Sequence, residues 1–179
     1  HCFDDIAKIK SLKEKGIKLP VQLKLDTGMG RMGIDLADIN KVIDEIKNSP
    51  IDIIGIWSHL SSADEKNNSY TQFQINNFKV ALKQFNDNSI YPKYIHVANS
   101  SAIFSNNDSF FNSVRPGISI YGISPLGIVN SNLKPVMKFK LPLIKVKSPS
   151  SENFIGYNRL YKTDKNEKIG IFQGGYADG

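Results

Sequence analysis

The sequence predicts an α/β protein, part of a β/α barrel followed by the start of a β domain. Three observations carry the prediction. Over residues 1–125, extended runs alternate with amphipathic helical runs. The extended runs end in polar or small residues: Asp26-Thr27-Gly28, Ser58-His59, Asn99-Ser100 and Arg115-Pro116-Gly117. From about residue 126 helical periodicity stops, and extended runs continue without it.

Phe3, Ile6, Ile9 and Leu12 recur at helical spacing, and Gly16 reads as a stop. VQLKLD then alternates, with Val21, Leu23 and Leu25 on one face and Gln22, Lys24 and Asp26 on the other. Asp35 is expected as an N-cap before a stripe of Leu36, Ile39, Val42, Ile43 and Ile46. IDIIGIWSHL is apolar nearly throughout, as a buried parallel strand should be. Ile75, Phe78, Ala81, Leu82 and Phe85 mark a further helix, KYIHVANS a third strand and SVRPGISIYG a fourth. Beyond the turn-rich SPLGIVNSNLKP, VMKFKLPLIKVK and EKIGIFQGG read as strands. The expected domains are 1–125, a partial barrel with four strands, and 126–179, the start of a β domain. In β/α barrels chemistry sits at the C-terminal strand ends, so the four ends should converge.

Composition narrows the function. The net charge is +6, yet no basic run is long or interleaved with aromatics, so no nucleic-acid partner is expected. No apolar run approaches the ~18–20 residues of a membrane span. One cysteine fits a reducing compartment, and with no visible leader a cytoplasmic location is expected. Neither HCFDDI nor GYADG reads as a natural terminus, so a fragment of a longer protein is expected. Of 23 basic residues only Arg31, Arg115 and Arg159 are arginine, which hints that each has a geometric task lysine cannot perform.

TGMGRMG contains G-x-G-x-x-G after a strand and before a helix, the setting of a dinucleotide fingerprint. That fingerprint needs its third glycine inside the helix and an acid ending the next strand. Gly33 instead precedes the expected N-cap, and Asp52 begins its strand, so NAD is not expected.

The longer string VQLKLDTGMGRMGI resembles the alanine racemase family, and the likeness continues in order through WSHLSSAD, HVANSSA, VRPGISIYGISP, GYNRLY and GGYADG. The resemblance implies the second half of a (β/α)8 barrel that binds pyridoxal 5'-phosphate (PLP), then the start of the C-terminal β domain. It implies a homodimer with shared active sites and two-base interconversion of L- and D-alanine, supplying peptidoglycan synthesis.

The same resemblance assigns residues. Arg115 would donate to the pyridine nitrogen of PLP, which therefore stays an acceptor and a weaker electron sink than one facing an acid. His96 would orient Arg115 from behind, with Ser100 two steps along the same strand face. Ser100 and the backbone of Gly117 and Ile118 would bind the cofactor phosphate, with Asn99 assisting. His59 would lie over the ring, next to Arg115 and near the catalytic tyrosine. Tyr157 would be that tyrosine, since Tyr176 follows it 19 positions later, the spacing the resemblance implies. Tyr161 competes but lacks the preceding glycine. A tyrosine base needs a pKa well below ~10, and nearby cations would lower it. Arg31 would reach the tyrosine and the substrate carboxylate. Lys24 matches a position often carboxylated in the family, and both the carboxylated and unmodified forms stay open. Tyr176 would line the substrate entrance or the dimer interface. Arg159 receives no role.

The family's cofactor-bearing lysine belongs to a barrel strand with no counterpart in these residues, so this stretch alone is expected not to racemise. Alternatives are a serine or broad-specificity racemase and a non-catalytic PLP-binding barrel. A barrel decarboxylase is disfavoured, because it places an acid against the ring nitrogen where this chain has VRPG.

Overall fold

The computed structural model describes residues 2–67, 69–127, 132–150 and 152–178. The chain divides into two compact units, His1–Val136 and Met137–Gly179.

The first unit is built on a parallel sheet. Its strands are β1 (Cys2–Phe3), β2 (Pro20–Asp26), β4 (Asp52–Trp57) and β5 (Tyr94–His96), side by side in that order, with β3 (Ile34–Asp35) paired to the end of β2. Between them run α1 (Ile6–Glu14), α2 (Ile39–Lys47) and α3 (Ser69–Asp87). Asp5 caps α1 by accepting from the Ala7 N–H at 2.8 Å, and Gly16 ends its last turn at φ +60°. The periodicity of α2 is fully used: Ile39, Val42, Ile43 and Ile46 are all buried. They join Val21, Leu23 and Leu25 from β2, Ile53 and Ile56 from β4, and Ile75, Phe78 and Phe85 from α3 in one core. Each such side chain contributes roughly 1.5–3 kcal/mol of burial. No helix among the described residues is long and apolar enough to cross a membrane.

Three sequence expectations change in this unit. SVRPGISIYG is not a strand: residues 112–115 are tied to β5 and the residues after it by Asn112 N–H to Ile95 O (3.3 Å) and Arg115 N–H to Ala98 O (2.9 Å), and the chain then turns into a 3-10 segment, Ile118–Tyr121. Pro116 has no N–H to extend that ladder. Ser100 is not on the strand of His96 but opens helix α4 (Ser100–Ser105), capped by Asn99, which accepts from Ala102 N–H at 3.0 Å. Asp35 precedes a 3-10 turn, Leu36–Asp38, and makes no capping bond with its side chain.

The second unit holds two antiparallel pairs: β6 (Leu143–Lys147) with β9 (Ile169–Phe172), and β7 (Phe154–Ile155) with β8 (Tyr161–Lys162). β6 and β9 fall within the two extended runs expected beyond residue 126, but residues 136–142 of the first run form no strand, and β7 and β8 lie outside both runs.

Candidate active site

Register assembles the site. Lys24, Trp57 and His96 are direct neighbours across β2, β4 and β5, on the face opposite Val21, Leu23 and Leu25. Trp57 stacks on the His96 ring with centroids 5.8 Å apart. Two cations meet the Trp57 ring: Arg115 Cζ at 4.6 Å and Lys24 Nζ at 5.1 Å from its centroid. An open cavity of about 420 Å³ lies here, lined by Cys2, Gln22, Trp57, His96 and Arg115.

Arg115 is the hub. Its Nη1 donates to His96 Nδ1 at 2.5 Å and to the His96 carbonyl at 3.0 Å. Its Nη2 donates to the Ser58 carbonyl at 2.7 Å, with His59 Nδ1 and the Val97 carbonyl each at 3.4 Å. The Nε–H has no protein partner among the described residues. Burial brings the Arg115 pKa down to about 10, which leaves it cationic at neutral pH. Burial, then the charge of Arg115, pulls His96 down to about 4, so this imidazole is neutral. His59 is lowered by burial first, then by Arg115, Arg31 and Lys24.

The strand ends are laced together. Thr27 and Ser58 share a hydroxyl–hydroxyl bond of 2.8 Å, Ser58 donates to the Leu25 carbonyl, and the Ser58 carbonyl holds Arg115. The glycine loop after β2 is organised by Asp26, whose carboxylate accepts N–H bonds from Gly28 (2.9 Å), Met29 (2.8 Å) and Gly30 (3.2 Å). Burial raises the Asp26 pKa, but these backbone donors outweigh it and hold the carboxyl below its ordinary value. Tyr70 pins the loop from α3, its hydroxyl donating to Gly28 O at 2.7 Å. Gly33 has φ +136°, and a Cβ there would lie 2.6 Å from the Asp26 nitrogen, so the loop folds back onto its own strand rather than entering a helix. Arg31, at its tip, is exposed.

Beyond β5, at the same C-terminal side of the parallel sheet, donors gather on Ser100. Its hydroxyl oxygen accepts from Gly117 N–H at 2.7 Å, from the Ser119 hydroxyl at 3.1 Å and from Ser119 N–H at 3.4 Å. Ile118 opens the 3-10 turn, whose first N–H groups have no intrahelical acceptor. Asn99 is occupied as a cap and also donates to Leu60 O at 3.2 Å, so it fixes Ser100 in place.

Tyr157 and Tyr176 belong to the second unit, and both side chains are exposed. Tyr157 starts a 3-10 turn after Gly156, which has φ +73°. Tyr161 donates to Glu167 Oε1 at 2.5 Å, and this bond raises its pKa, the wrong direction for a base. Arg159 lies over the Phe154 ring at 5.9 Å.

Family models for the alanine racemase N-terminal and C-terminal domains match residues 1–125 and 136–179. The chain belongs to the alanine racemase family. An alanine racemase of Clostridium tetani is 37% identical over 179 residues, covering 95% of this chain and 46% of that protein. Alanine racemase 2 of Caldanaerobacter subterraneus is 37% identical, covering 98% of this chain and 47% of the relative. The chain therefore spans about half the length of the curated alanine racemases it matches. Among solved structures, the alanine racemase of Streptomyces lavendulae superposes with a TM-score of 0.83 at 27% identity, over 99% of this chain and 50% of that one. That of Bacillus anthracis, with bound L-Ala-P, gives 0.68 at 28% identity, over 97% and 46%. The fold is that of alanine racemases, part of a PLP-dependent barrel with the start of the C-terminal β domain.

Sequence reasoning assigns no role to Gln22, Trp57 and Tyr70, and marks Asp26 and Ser58 only as residues at converging strand ends. Asp26 has a further local signal, an Asp just ahead of a glycine-rich turn. The others act through cross-strand register or a helix far along the chain.

Proposed function

We propose that this chain contributes the PLP-holding part of the barrel, residues 1–125, and the tyrosine-bearing start of the β domain, residues 126–179, to an enzyme that interconverts L- and D-alanine for peptidoglycan. The observation that carries the reading is Arg115: both terminal nitrogens are engaged by protein acceptors, while its Nε–H is left for a ligand acceptor. The Gly117 N–H and the Ser119 hydroxyl converge on the Ser100 oxygen, and with the Ser100 O–H they would serve as donors to an anion such as the cofactor phosphate.

When bound, PLP supplies the electron-withdrawing ring that makes the Cα proton of alanine removable. Arg115 would hold the ring nitrogen as an acceptor, since a guanidinium only donates. His96 would position Arg115, and His59, whose Nδ1 is 3.4 Å from Arg115 Nη2, would lie over the ring. Gly117, Ile118 and Ser100 would grip the phosphate, with Asn99 as support. Tyr157, from the β domain of a partner subunit in a homodimer, would take and return the Cα proton on one face, the cofactor-bearing lysine serving the other. Arg31 would pair with the substrate carboxylate, bidentate where a lysine could not be. Tyr176 would border the entrance. Lys24, packed on Trp57, adds to the positive field of Arg115 and Arg31 around His59 when unmodified and would pair with Arg31 if carboxylated.

The test is the full-length gene product with PLP and L-alanine, followed by chiral detection of D-alanine. D-Alanine formation that requires PLP supports the reading. PLP binding without D-alanine refutes racemisation, and turnover of serine at equal or higher kcat/KM refutes the alanine assignment.

A further inference from the structure

We infer that Gln22 is a positioning residue for this site: its amide oxygen fixes His96 as the Nε2–H tautomer, so that Nδ1 keeps a lone pair for Arg115. Gln22 Oε1 lies 2.8 Å from His96 Nε2, and His96 Nδ1 lies 2.5 Å from Arg115 Nη1. A guanidinium has donors only, so Nδ1 must accept, the single proton of a neutral imidazole must sit on Nε2, and the group facing Nε2 must be an acceptor. The three side chains form one directional chain, each donor paired with an acceptor.

The sheet is built to let Gln22 reach. Gln22, Gly55 and Tyr94 are neighbours across β2, β4 and β5, one row behind Lys24, Trp57 and His96. For Gln22 to touch His96 its side chain must cross β4, and it does so over Gly55. A Cβ at Gly55 would lie 2.8 Å from Gln22 Cγ, 2.9 Å from Cδ and 3.0 Å from Oε1. Gly55 has no positive φ to explain it and a strand interior disfavours glycine. Its reason is the amide lying across it. The titratable and charged groups facing His96 from neighbouring elements are Arg115, Lys24 through Trp57, and Cys2 on β1 across the cavity.

The amide matters as well as the oxygen. A carboxylate at position 22 would accept the same proton but favour the doubly protonated imidazolium. That form has no lone pair for Arg115 and repels it. Gln22→Met keeps the length and removes the acceptor, leaving the Nε2–H buried without a partner.

The experiment is ¹⁵N NMR of the His96 ring in the full-length gene product, with and without PLP, for wild type, Gln22→Glu, Gln22→Met and Gly55→Ala. Expected for wild type is a neutral Nε2–H ring throughout pH 5.5–9, roughly a unit or more above the folded-state titration. In Gln22→Glu the ring should be charged at pH 7. PLP affinity should then fall about tenfold at pH 7 and recover at pH 9, where the imidazolium loses its proton. Gln22→Met and Gly55→Ala should weaken PLP by a similar factor with no recovery at alkaline pH. Gly55→Ala separates displacement of the amide from its removal. A wild-type ring with the proton on Nδ1, or a Gln22→Glu ring that titrates as wild type does, overturns the inference. The affinity readout rests on the proposed function, but the ring signals do not. A protein that binds no PLP yet shows the expected tautomer refutes only that function.

Discussion

Arg115 and His96 meet twice through a single nitrogen. Nη1 donates to the ring Nδ1 at 2.5 Å and to the backbone carbonyl of the same residue at 3.0 Å. One histidine thus sets both the distance and the plane of the guanidinium, and Ser58 O fixes the other terminal nitrogen at 2.7 Å. Lysine cannot reproduce this fork. Arg115→Lys should therefore lose the aimed contact as well as its anchors. Each charged hydrogen bond lost is worth about 1.5–3 kcal/mol, so PLP affinity should fall about 10- to 100-fold. Spectrophotometric PLP titration of the full-length gene product checks this; an unchanged affinity would show that Arg115 does not face the cofactor.

Acidification should act through His96. Burial and Arg115 lower its pKa from 6.5 to about 4. Between those values the unfolded chain holds a proton on this ring and the folded chain does not. Unfolding free energy then rises with pH across the window. The contribution of neutral His96 is complete above pH 6.5 and is lost as pH falls toward 4. Replacement by Phe removes the titration. The difference in Tm between wild type and His96→Phe should shrink steadily as pH drops through that window. A flat difference would mean the ring titrates alike in both states.

The glycine loop should depend on a carboxylate, not on polarity alone. Asp26 accepts from Gly28, Met29 and Gly30 with one oxygen. Asn at this position keeps the shape but gives up the charge, and neutral bonds are worth about half as much as charged ones. The loop carrying Arg31 should loosen. We expect Asp26→Asn to raise KM for alanine about three- to tenfold while kcat changes less, because positioning of the substrate carboxylate is what is lost. Steady-state kinetics at saturating PLP decide it, and a fall confined to kcat would place the effect elsewhere.

Elements with strong periodicity were legible from the chain: VQLKLD, IDIIGIW and the helices through Ile43 and Phe78 form where the pattern put them. The Arg115 segment was not, because SVRPGISIYG alternates like a strand while Pro116 interrupts its hydrogen bonding and Gly117 turns it into a 3-10 segment. Ser100 was misplaced for a related reason. Asn99 reads equally as a strand end and as a cap, and the Ala102 N–H decides it. The arginines stand out by type and scarcity, the histidines only through the family resemblance. Gln22 and Trp57 do not, since nothing local distinguishes them from ordinary strand residues, and Gly55 shows only as a glycine inside a strand, without its reason. Their meaning arises only when three strands come into register.

The choice between the two tyrosines is the sharpest test of the catalytic assignment. Tyr161 already spends its proton on Glu167, and a carboxylate neighbour makes the phenolate harder to form. Tyr157 follows a glycine of positive φ and presents its whole side chain outward from the turn, 96% exposed. Such a tyrosine in a lone domain would be idle. Its exposure makes sense if the phenol is delivered to a site elsewhere in an assembly. Tyr157→Phe should therefore reduce kcat for racemisation by about 10²–10⁴, the usual worth of a positioned acid–base group, with PLP affinity nearly unchanged. Tyr161→Phe should leave kcat within about twofold, as a surface substitution does. If the two variants exchange these phenotypes, the base is Tyr161 and its bond to Glu167 must break before turnover. If both stay near wild type, the proton is moved by another residue, and solvent-deuterium exchange at Cα in the Tyr157→Phe protein would show whether one or both faces still react.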